Sequence, residues 1–172
     1  LTFHKIYYIL NLIKKQFPIS KPLSSALKEC LHSEEQAIAI YEAECWILSR
    51  SALTHRRKKT LRICVKILSE EKQHESEISA YVPQTIFNQA MTHFSRWGGY
   101  ILGGFFSAIP SHLNWKIHAW AELEAARIYG KAARVASRER TDKTLVEILR
   151  HSEKQETEHS KEFEKLRFDS GH

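Results

Sequence analysis

Glu71-Lys72-Gln73-His74 has a twin further along the chain, Glu156-Thr157-Glu158-His159. Upstream of each twin stands a Glu followed, after six intervening residues, by a Tyr: Glu34 before Tyr41, and Glu122 before Tyr129. The order Glu, Glu-x-x-His, Glu, Glu-x-x-His is therefore laid over two similar halves. Placed on helices, these six side chains form the ligand set of a carboxylate-bridged two-iron centre inside a four-helix bundle.

The stretches around them read as helices. Taking Glu34 as origin, Ile38, Tyr41, Cys45 and Leu48 share one face of a helix over 24–52. A second helix over 57–81 aligns Cys64, Ile67, Glu71, His74, Ile78 and Tyr81. A third over 111–136 aligns Trp115, His118, Glu122, Ala126, Tyr129 and Ala133. A fourth over 142–167 aligns Leu145, Leu149, Ser152, Glu156, His159, Phe163 and Leu166. Acids and imidazoles thus sit inside otherwise apolar stripes, an arrangement that costs free energy unless the charge is compensated.

Two turns test the pairing. If Glu34 lies level with Glu71 and His74 in an antiparallel hairpin, the turn is centred near residue 53, and the second hairpin turns near residue 140. Both points fall in polar stretches that break the periodicity, Ser51 to His55 and Arg138 to Asp142. With 18 Glu and 10 His in the chain, about one Glu-x-x-His arises by chance. Glu29-Cys30-Leu31-His32 has no counterpart in the repeat and reads as that one. Glu35 and Glu124 neighbour the chosen acids, and the shared Ile-Tyr endings favour Glu34 and Glu122 as equivalents. His118 reads as a core histidine, with a supporting role at the site as the rival.

Between the hairpins, residues 84–108 span about 36 Å as a helix. That is long enough to return the chain along the bundle as a crossover. Its four glycines (Gly98, Gly99, Gly103, Gly104) permit close backbone approach. Packing on the bundle and walling an apolar substrate channel are both open readings. Before the first hairpin, Phe3, Ile6, Tyr7, Leu10, Ile13 and Phe17 mark an amphipathic helix within residues 1–20 that packs on the bundle or lies on lipid. Pro18 and Pro22 end it, and Ser24 or Ser25 would cap the next helix. The expected fold is all-α: a single domain over 1–172, with hairpins at 24–81 and 111–167.

Composition excludes several classes. Three cysteines in helical sequence argue for buried thiols in a reducing compartment rather than a disulfide framework. The net charge of +6 gathers at both hairpin turns, which fall at opposite ends of such a bundle, so no single nucleic-acid face is expected. The longest charge-free run, Trp97 to Trp115, holds Pro110, His112 and Asn114 and is a poor membrane span.

Four buried carboxylates repel one another, and two divalent cations with two neutral imidazoles would balance them. Oxygen ligands with imidazole suit iron or manganese. Glu71 and Glu156 are placed to bridge, Glu34 and Glu122 to bind terminally. Each His would donate from its other ring nitrogen to an acceptor that the sequence does not identify.

At these residues the chain resembles the demethoxyubiquinone hydroxylase family of membrane-associated, ferritin-like enzymes. The similar stretches are Glu34 to Tyr41, Glu70 to His74, Ile101-Leu102-Gly103-Gly104, Glu122 to Tyr129 and Glu156 to His159. The resemblance implies a ferritin-like four-helix bundle and hydroxylation of a lipophilic polyprenyl quinone in ubiquinone biosynthesis, with dioxygen and NADH-derived electrons. It implies two iron ions held by Glu34, Glu71, His74, Glu122, Glu156 and His159, with no catalytic residues beyond these ligands. It also implies a lipid-presenting partner protein and a peripheral place on the cytoplasmic or mitochondrial inner membrane, and it leaves a homo-oligomer open. Rival readings are a tRNA-modifying hydroxylase and an iron-oxidising or iron-handling bundle.

Overall fold

The computed structural model describes residues 19–50, 54–83 and 85–169. They form an all-helical bundle: α1 (Lys21–Arg50), α2 (His55–Ser79), α3 (Ile86–Ala108), α4 (Ser111–Arg138) and α5 (Lys143–Asp169). The amphipathic segment expected at 3–17 and the turn centre at residue 53 lie outside the described residues.

Local chemistry sets the helix ends. α1 starts earlier than expected, because Ser20, not Ser24 or Ser25, caps it: the Ser20 hydroxyl accepts from the Leu23 amide at 3.2 Å. Pro22 falls in the first turn, where an amide hydrogen has no intrahelical partner anyway. Thr54 caps α2 through the Arg57 amide, and Thr85 caps α3 through that of Asn88. Near residue 140 the chain reverses on Arg140, whose φ of 51° is left-handed. The Thr141 amide returns to the Ala136 carbonyl and the Arg140 amide to that of Ser137, closing α4 with a Schellman turn.

α1 runs antiparallel to α4, since Glu34 pairs with Tyr129 and Tyr41 with Glu122, and α2 runs antiparallel to α5, since Glu70 pairs with His159 and His74 with Gln155. Two apolar clusters fill the interior. One gathers Leu23, Leu27, Ile78, Tyr129, Ala133 and Leu149; the other gathers Tyr41, Cys64, Ile67, Trp115, Phe163 and Leu166. The six Glu and His residues occupy the layer between them. Each half therefore lends one tyrosine to the polar centre.

α3 lies outside this arrangement, parallel to α1. Gly99 faces Gln36 and Ala39, and Gly103 faces Ile40 and Ala43, so closely that a methyl group at either would clash with a main-chain carbonyl oxygen of α1. Arg96 and Tyr100 fasten the same helix to Glu35 and Glu42. Gly98 and Gly104 face open space. Gly103→Ala is therefore expected to lower stability by about 1–3 kcal/mol through overpacking. Gly104→Ala gains up to about 1 kcal/mol of helix propensity. Paired urea titrations of the two variants check this, and equal effects would contradict the contact.

Candidate metal centre

The structure draws Glu34 from α1, Glu71 and His74 from α2, Glu122 from α4, and Glu156 and His159 from α5 into one interior spot. None of the six exposes more than 4% of its surface. They sort into two groups of four: Glu34, Glu71, His74 and Glu156, and Glu71, Glu122, Glu156 and His159. Each group offers one ligand atom per residue, all within 4.8 Å of one another. Glu71 and Glu156 belong to both groups, so the geometry alone separates two shared carboxylates from two terminal ones.

Both imidazoles turn Nδ1 inward. His74 Nδ1 is 2.9 Å from Glu156 Oε1 and 3.8 Å from Glu34 Oε2. His159 Nδ1 lies 3.3 Å from Glu156, 3.5 Å from Glu71 and 3.7 Å from Glu122. The outward nitrogens have the acceptors that the sequence left unidentified. His74 Nε2 is 3.0 Å from the Gln155 side-chain oxygen, and His159 Nε2 is 2.8 Å from Glu70 Oε2. Each acceptor immediately precedes the shared Glu of the opposite Glu-x-x-His motif. The two motifs therefore support one another across α2 and α5.

The tyrosines complete a cross-brace. Tyr129 donates to Glu34 at 2.5 Å, and Tyr41 donates to Glu122. In the sequence these tyrosines served only to align the halves; in the structure each steadies the other half's terminal carboxylate. His118 is not part of the site. It packs beside the rings of both Tyr41 and Phe163, which also stack on each other, and its Nε2 is 2.8 Å from Glu44. The fully buried Glu44 carboxylate also accepts from Asn114 at 2.6 Å. Glu44 takes the inward place expected of Cys45, whose thiol is half-buried, and no repeat marks it in the sequence. Cys30, Cys45 and Cys64 are free thiols.

A donor set suits a cation when its buried lone pairs lack other partners. Glu34 Oε2, Glu71 Oε1, Glu156 Oε1 and His74 Nδ1 have no hydrogen-bond partner; although His74 Nδ1 and Glu156 Oε1 are 2.9 Å apart, they are not aligned as donor and acceptor. Buried orphan atoms of this kind are rare, and four of them converge on one group. Protons partly substitute for cations in the bare chain. Burial, then the charge of Glu156, pushes the Glu71 carboxyl up to about 8. Burial also lifts Glu156 to about 7 and Glu34 well above its ordinary range. For His74, burial favours the neutral ring, yet Glu156 and Glu34 overcome it and raise the imidazole to about 9. Burial acts likewise on His159, and Glu122 and Glu156 outweigh it. Glu122 alone is lowered: burial would raise it, but hydrogen bonding with His159 prevails. These Glu and His groups could hold metal ions, with oxygen and nitrogen donors suited to a hard or borderline divalent cation.

A cavity of about 300 Å³ reaches Glu71 and Glu122 from the side where α1, α3 and α4 meet. Ala37, Ile40, Leu102, Phe106, Trp120 and Ile128 line it, with Ser33, Gln36 and Glu124 as polar members. α3 thus packs on α1 through two glycines, and its Leu102 and Phe106 also wall this cavity. Compared with models of protein families, with curated proteins and with solved structures, the chain matches none.

Proposed function

We propose that the chain is a ferritin-like di-iron monooxygenase that hydroxylates the ring of a polyprenyl quinone, as in ubiquinone biosynthesis. The observation that carries the reading is the pair of four-residue groups sharing Glu71 and Glu156, one ligand sphere for each of two cations. The cavity beside one of them favours an enzyme over an iron-handling bundle, which needs no apolar chamber at its centre. A reduced iron pair held there would supply dioxygen activation.

The chain's own residues do the rest. Glu71 and Glu156, common to both groups, would serve both ions, while Glu34 and Glu122 would serve one each, held in orientation by Tyr129 and Tyr41. His74 and His159 would offer Nδ1 to the ions, with their rings fixed from behind by Gln155 and Glu70. Ile40, Leu102, Phe106 and Trp120 exclude water and present a flat apolar ring toward the Glu71–Glu122 side. One oxygen atom enters the ring, and the other leaves as water with two protons and two NADH-derived electrons. The outer face of α3 exposes Phe94, Trp97, Ile101 and Phe105. Arg96, the helix's one Lys, Arg, Asp or Glu, is turned to Glu35 and Glu42 of α1, so this face suits a lipid surface or a lipid-presenting protein that delivers the quinone. Among the described residues no helix is long and apolar enough to cross a membrane.

Anaerobic reconstitution with iron(II), followed by reductant, labelled dioxygen and a short-chain quinone lacking one ring hydroxyl, tests the proposal. The expected product carries one labelled oxygen atom. A protein that takes up iron and oxidises it rapidly, yet returns every quinone unchanged, would sink the hydroxylase reading.

A further inference from the structure

We infer that the two cation positions are unequal, and that the Glu71–Glu122–Glu156–His159 position binds first and more tightly because Glu70 stands behind its histidine. This rests on the metal reading proposed above. The centre is close to a matched pair. Each position has one terminal Glu, each terminal Glu receives a tyrosine hydroxyl from the other half, both positions share Glu71 and Glu156, and both imidazoles face inward through Nδ1.

The match fails behind the rings. His159 Nε2 donates to the Glu70 carboxylate at 2.8 Å, whereas His74 Nε2 meets the neutral Gln155 amide oxygen at 3.0 Å. A hydrogen bond to a charged acceptor is roughly twice as strong as one to a neutral acceptor. It leaves more electron density on the inward nitrogen, and outer partners of this kind change metal affinity by about 10–100-fold. Lys66 tempers Glu70 only weakly, being 3.9 Å from it and 2.5 Å from Glu162. The favoured position is also the one beside the cavity, which reaches Glu71 and Glu122 but not Glu34. A cation held there would be the more electron-rich of the two and would face the side from which a substrate would arrive. Glu70 and Gln155 are positioning residues that act through the imidazoles.

Cobalt(II) titrated into the metal-free full chain, followed by calorimetry and visible absorption, reads this directly. The wild type should show two steps differing by about 10-fold or more. Glu70→Gln should weaken the first step by about 10–100-fold, merging it with the second, and Gln155→Glu should strengthen the second by a similar factor. The double exchange should restore two unequal steps, which damage to packing at either position would not do. Equal steps in the wild type, or a Gln155→Glu chain that binds its second ion no more tightly, would overturn this inference while leaving the metal centre standing. Failure to bind cobalt at all would overturn both.

Discussion

Glu71→Ala should strip the chain of both cations, whereas Glu34→Ala should remove one. The difference follows from membership of the two groups: Glu71 serves both, and Glu34 serves only the group containing His74. Removing one member of a buried, compensated set of charges costs about 3–5 kcal/mol, or roughly two to four orders of magnitude in affinity. At Glu71 that loss falls on each ion, and at Glu34 on one. Metal analysis after anaerobic loading and gel filtration should fall from about two ions per chain to none in the first variant and to about one in the second. Retention of both ions by Glu71→Ala would remove Glu71 from the ligand set. Since truncation also opens a small cavity, Glu71→Gln serves as a second arm, because it keeps the volume and deletes the charge. Its metal-free form should melt higher than metal-free wild type above pH 8, where the wild-type carboxylate is forced to ionise in the core. A chain that merely folded badly would do the reverse.

Much of this arrangement is legible in the amino-acid sequence, for reasons tied to particular residues. Repetition marks Glu71-x-x-His74 and Glu156-x-x-His159, and an internal repeat survives without any knowledge of contacts. The helix periods around them are strong because Ile67, Ile78, Leu149 and Phe163 occupy one face each. Contacts across helices are harder to read. Nothing in the order of residues says that Tyr41 reaches Glu122 and Tyr129 reaches Glu34, because that depends on α1 and α4 lying level and antiparallel. Glu70 and Gln155 sit beside conspicuous ligands, yet the step of about 100° per residue along a helix turns each toward the opposite motif. Glu44 is hidden more deeply still: it falls on the Tyr41–Leu48 stripe, but the spacing admits Cys45 equally, and the Asn114 amide, His118 ring and Cys64 thiol facing it explain its burial. Of α3's four glycines, the sequence cannot say that Gly99 and Gly103 meet a backbone while Gly98 and Gly104 meet nothing.

The thermal gap between metal-loaded and metal-free protein should widen as pH rises from about 6 to 8.5. In the metal-free chain Glu71 is raised from 4.5 to about 8, and Glu156 from 4.5 to about 7. A group whose folded pKa is raised stabilises the fold below its unfolded value, and that stability is lost as pH climbs through the folded value. His74, raised from 6.5 to about 9, acts with the same sign at the upper end of the window. Glu122, which is lowered, acts oppositely but only toward acid, outside the window. Metal-free stability should therefore fall across the range. Loading runs the other way, because protons compete with cations for the same oxygen and nitrogen atoms, so affinity and the stabilisation it confers both rise with pH. One proton per pH unit is worth about 1.4 kcal/mol. A net displacement of about one to two protons across the window gives roughly 3–7 kcal/mol, or on the order of 10 °C in a domain of this size. Scanning calorimetry at pH 6, 7 and 8.5, with and without saturating manganese(II) under argon, measures the gap. A gap that stays constant or narrows would mean that the ions displace no protons at Glu71 or Glu156, and hence that they bind elsewhere on the chain.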